Sequence, residues 1–167
     1  MKLANAMVPE WIKEIIEDRE RRTREYEETA RYNALANALA KSEGPELFQQ
    51  IVKELTLQAL ACKTIGVLAS VSDVSRKNND GEQIEQAFRV KVSANSPFPR
   101  STYLDFSYAE GDRCIRCYPR DGESFKIDFL PNEHGKLVMQ SDHTPLPTAE
   151  KAAAYLIKPL VKDVLTK

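Results

Sequence analysis

Between Pro9 and Gly44 the chain carries neither glycine nor proline. A stretch of that length, dominated by Ala, Leu, Glu and Arg, has one regular backbone option. That option is an α-helix opening at Pro9, where the missing N–H costs nothing. At 1.5 Å per residue such a helix would be roughly 50 Å long. A compact body built from the rest of the chain would measure about 35 Å across. The helix is therefore expected to overhang that body or to run along its edge.

The middle of the stretch, EDRERRTREYEE, places Glu17/Arg21, Asp18/Arg22 and Glu20/Arg24 four residues apart, acid before base, which is the favourable orientation on a solvated helix. Its beginning is different: Met7, Val8, Trp11, Ile12, Ile15 and Ile16 make an apolar tip. Ala30, Ala34, Leu35, Ala38 and Leu39 predict close packing near the other end. Arg19 and Arg22 interrupt the phase of Ile12, Ile15, Tyr26 and Thr29, so no coiled-coil heptad is sustained. A tip of this kind is too apolar to stay in water, and Trp is a frequent interface anchor. Trp11, Ile12, Ile15 and Ile16 are thus the interface candidates, with a fold-back onto the same chain as the alternative.

Gly44 and Pro45 predict a break, followed by a second helix from about Glu46 to Cys62 with Leu47, Ile51, Leu55 and Ala59 on one stripe. Residues 64–75 fit a strand or an extension of that helix equally well. Past RKNNDGE the apolar period changes from 3.6 to 2. Phe88/Val90/Val92, Leu104/Phe106/Tyr108, Ile115/Cys117, Phe125/Ile127/Phe129 and Leu137/Met139 alternate with polar residues between short turns. Such connections join antiparallel neighbours and predict a meander of five or six strands. A last helix is expected to open at Thr148 as N-cap and to pack on the sheet, with Pro159 kinking or dividing it. The expected fold class is α+β: two N-terminal helices, the first long, then an antiparallel meander, then a C-terminal helix. The expected organisation is a single domain over residues 1–167, with 1–43 as a helical arm and 44–167 as the compact body.

Twenty-four basic and 25 acidic residues leave a formal net charge of -1, and the signs are interspersed. No large field is available to gather nucleic acid or an anionic membrane. No apolar run approaches the roughly 20 residues that span a bilayer. The first residues, broken by Asn5 and Pro9, do not read as a secretory leader. Three cysteines cannot all pair within one chain, so a reducing compartment, the cytoplasm, is expected.

The one C-x-x-C, Cys114 and Cys117, lies within the strand-like RCIRCY. Residues three apart on a strand point to opposite faces and lie roughly 10 Å apart, so the two thiols cannot share a metal or close a disulfide. His134 and His143 sit in turns on either side of one short strand, about 17 Å apart or more, which argues against a shared site. The six glycines are too scattered for a phosphate-binding loop. Arg89, Lys91, Arg116 and Lys126, with Tyr103 and Tyr118, would share the polar sheet face as in single-stranded RNA readers, but Asp105 and Asp128 share it too.

These readings call for no catalytic residues, no metal and no cofactor, and they lean away from an enzyme. The leading expectation is a non-enzymatic protein-interaction module that forms a homodimer through its N-terminal helix, with another protein as a further partner. The alternative is a small-ligand binding protein or enzyme with a cavity between sheet and C-terminal helix, for which Tyr108, Tyr155, His134 and His143 are the candidates. RNA binding on the sheet face ranks last.

Overall fold

The computed structural model describes residues 7–166. Among these are two α-helices, a short 3-10 helix at Cys62–Ile65 and eight strands. The chain divides between Leu35 and Ala36 into two units. The division falls inside helix α1, Glu10–Ala61.

The break expected at Gly44 and Pro45 does not occur: where two helices were predicted, α1 runs through Pro45. Proline withholds one N–H and crowds the preceding turn, so continuity there has to be imposed by packing. Ala36, Ala40, Gly44, Phe48, Ile51, Leu55 and Ala59 are all buried and follow one another at helical spacing on both sides of Pro45. Only an uninterrupted helix keeps them on one face.

The strands are β1 (Leu68–Asp73), β2 (Arg76–Lys77), β3 (Gln83–Ala94), β4 (Arg100–Tyr108), β5 (Cys114–Pro119), β6 (Phe125–Pro131), β7 (Leu137–Ser141) and β8 (Thr144–Leu146). Every pairing is antiparallel, in the order β1-β3-β4-β5-β6-β7-β8, with β2 also against β3. Beyond the two-residue β2, the expected five or six strands grow to eight for two reasons. The ambiguous stretch 64–75 contains β1, whose Ala69 and Val71 stand opposite Val92 and Val90. The other addition, Thr144-Pro145-Leu146, is too short and too proline-interrupted to show alternation. It exists because Asp142 and His143, with φ of 46° and 63°, close a two-residue turn onto β7. Positive φ at both turn residues matches the twist of a tight hairpin.

One face of the sheet carries Val90, Val92, Leu104, Phe106, Tyr108, Ile115, Cys117, Ile127, Phe129 and Met139. It forms one core with the buried face of α1 and with Ala152, Ala153, Leu156, Ile157, Leu160 and Val164 of helix α2, Ala149–Thr166. Each fully buried Leu, Ile or Phe contributes about 1.5–3 kcal/mol. Thr148 caps α2 as its sequence predicts, its Oγ1 accepting from Lys151 N at 3.1 Å. Pro159 lies inside α2 and does not divide it.

Candidate functional site

Residues 7–35 are exposed apart from partial shielding of Val8, Ile12 and Asp18. Trp11 (61 % exposed), Ile15 (58 %) and Ile16 (49 %) present their side chains outward from the first turns of α1. Trp11 and Ile15 stand four residues apart and so lie one above the other. Asp18 draws in two arginines, Arg21 and, at 3.1 Å, Arg22. These ion pairs are exposed and each adds at most about 0.5 kcal/mol. Of the residues expected to pack closely, Ala30, Ala34, Leu35 (42 %) and Ala38 are exposed and Leu39 is partly buried, while the fully buried positions are Ala36 and Ala40.

The four residues proposed for a cavity under the C-terminal helix are not brought together. Tyr108 is buried among Phe48 (ring centroids 5.4 Å apart) and Phe129 (5.7 Å), and its hydroxyl donates to the Ala40 carbonyl at 3.1 Å. Burial raises its pKa, partly offset by the backbone of Gly111. Tyr155 packs edge-on against Phe125 at 5.8 Å. Phe125 and Phe129 are four residues apart on β6, about 13 Å along the strand, which separates the two tyrosines. His134 lies in the exposed β6–β7 turn, its backbone N–H bonded to Asn132 Oδ1 at 2.9 Å. His143 forms part of the β7–β8 turn.

Cys117 is fully buried beside Ile115, whereas Cys114 lies on the opposite face of β5, across from Asp128. Burial raises both thiol pKa values, that of Cys117 by far the more. Among the described residues, no three His, Cys, Asp or Glu side chains gather where they could hold a metal ion.

On the outer sheet face Arg89 forks onto Asp105 directly across the strands, at 2.7 and 3.0 Å. Its guanidinium also stacks 4.0 Å above the Tyr103 ring. Arg116 is held by Asp112 at 2.9 Å. Two of the four cations read as a nucleic-acid surface are thus occupied by acids of the same chain.

A cleft of about 400 Å³ is lined by Arg100, Ser101, Thr102, Asp121, Asp163 and Val164, where the start of β4 meets α2 and the turn after β5. Arg100 Nη1 is buried there without a hydrogen-bond partner. Thr102 Oγ1 lies 3.4 Å from Asp121 Oδ2. Nothing in the sequence singles these residues out: they are spread over more than 60 positions and follow no motif.

No protein-family model, no curated protein and no solved structure matches this chain.

Proposed function

We propose that the protein is a non-enzymatic interaction module that self-associates through its N-terminal helix. The observation that carries this reading is the exposure of Trp11, Ile15 and Ile16 at successive helical positions. Water-facing apolar side chains clustered on one short segment gain about 25 cal/mol for each Å² that a partner covers. A second copy is the simplest partner, since a two-fold axis lets one patch cover itself. A cytoplasmic location belongs to the same proposal. It is supported by Cys114 and Cys117 standing on opposite faces of β5, where they cannot join.

The test is the solution mass of the full chain and of Trp11→Glu/Ile15→Glu. At micromolar protein the reading expects a dimer that becomes a monomer in the variant, with the melting of the body unchanged. Equal masses for the two proteins would sink it.

A small-ligand protein is the second reading, favoured by the unpartnered Arg100 Nη1 in its cleft. The two carboxylates lining that cleft disfavour a simple anion. RNA binding has less support, because Arg89 and Arg116 are already paired.

A further inference from the structure

The two edges of the sheet are built differently. At one end β8 is three residues long and contains Pro145, which withholds an N–H; short strands and proline are the usual protections of an edge. At the other end β1 is six residues long, LASVSD, with no proline and no charge before its last residue. Beyond it, Ser75 Oγ takes the Ala87 N–H at 3.1 Å and the chain continues along β3 into the charged pair Arg76–Lys77. Protection therefore begins only past the end of β1.

The register shows which groups of β1 are left over. Val74 donates its N–H to Ala87 O at 2.8 Å. By the alternation of an antiparallel ladder, Ser72, Ser70 and Leu68 also turn their backbone groups toward β3, and Ala69, Val71 and Asp73 turn theirs outward. Ala69 and Val71 are the residues whose side chains pack on the core. One set of residues thus carries both the hydrogen-bonding groups left unpaired among the described residues and the inner-face side chains.

We infer that β1 pairs antiparallel with β1 of a second copy, about a two-fold axis through Ser70 or Val71, continuing the sheet across two molecules. Either axis sets inner-face residues opposite inner-face residues: Ala69 against Val71 in the first case, Val71 against itself in the second. The outward N–H and C=O groups of these residues then meet as hydrogen-bonded pairs. Neither register opposes like charges, because Asp73 falls against Val67 or Ala69. An edge whose single charge, Asp73, meets no like charge and that satisfies itself under a two-fold fits its own copy without any further recognition element. Leu68, the first residue of β1, is 59 % exposed and adds apolar surface to the strand.

The inference is independent of the helical contact and is tested with that contact removed. Amide hydrogen exchange is measured on full-length Trp11→Glu/Ile15→Glu at micromolar and near-millimolar protein. The amides of Ala69 and Val71 are expected to exchange at least about tenfold more slowly at the higher concentration, alongside a rise in mass. Adding Ser70→Lys and Ser72→Lys, both at exposed positions, should abolish that slowing while core amides such as that of Val90 stay protected. Fast exchange at every concentration, as when the edge is reserved for an extended segment of another protein, overturns the inference. So does slow exchange that is independent of concentration and indifferent to the lysines.

Discussion

Gly44 on α1 lies directly against the hydroxyl of Tyr108 on β4: a Cβ at position 44 would overlap Oη and come within 3.1 Å of Cζ. The same hydroxyl donates to Ala40, one helical turn earlier. The tyrosine ring cannot swing aside, because Phe48 and Phe129 pack against it. The contact of α1 with Tyr108 therefore depends on a residue without a side chain, immediately before a proline that would ordinarily disturb the helix.

Gly44→Ala should destabilise the protein by about 1–2 kcal/mol. Overpacking costs about 1–3 kcal/mol, and the better helix propensity of alanine returns at most about 1 kcal/mol. In a Tyr108→Phe background, where Oη is absent, the same substitution should cost much less. Urea unfolding of the four proteins in this cycle measures the coupling; simple additivity would mean that the overlap is relieved elsewhere.

Tyr108 also makes stability depend on alkaline pH. Burial holds its folded-state pKa above the ordinary value. A raised pKa favours the protonated form, so its stabilising contribution is complete below the unfolded value of about 10 and is lost as pH rises toward the folded one. Unfolding free energies measured at pH 8 and pH 10.5 should fall more steeply in the native chain than in Tyr108→Phe. Parallel losses would show that the phenol does not titrate differently on folding.

Reaction with a thiol reagent under native conditions should separate the cysteines. Cys62 and Cys114 are partly exposed and should react first, whereas Cys117, buried and held in its thiol form, should react at the rate of unfolding. Adding urea below the unfolding midpoint should speed Cys117 far more than Cys114. Prompt reaction of all three would contradict the inward placement of Cys117.

Arg89 and Asp105 should couple weakly but measurably. Side chains 39 % and 32 % exposed are screened by solvent, so a double-mutant cycle with Arg89→Ala and Asp105→Ala should give a small favourable coupling. The coupling should shrink in 1 M salt. A value that salt leaves unchanged would mean that the two side chains do not couple through their charges.

The alternation from Phe88 to Met139 reveals the meander because one face is buried and the other wet, which is the condition under which period 2 becomes visible. Thr148 marks its helix for an equally local reason, a side chain serving the backbone a few residues on. Pro45 misleads because its local cost is opposed by the row from Ala36 to Ala59, whose burial depends on strands far along the chain. The strand β8 is hidden because Pro145 masks it and its register is fixed by the Asp142–His143 turn. The cleft at Arg100 is assembled from β4, α2 and the turn after β5, so no local pattern could reveal it.

The short β8, with Pro145 at its centre, also sets a limit on growth. A sheet that can add a neighbour on one side only behaves as a monofunctional unit: once two such units have joined, both outer margins are inert. On the proposed pairing, strand-to-strand association would terminate at the pair and would not propagate into a fibre by way of the sheet edges.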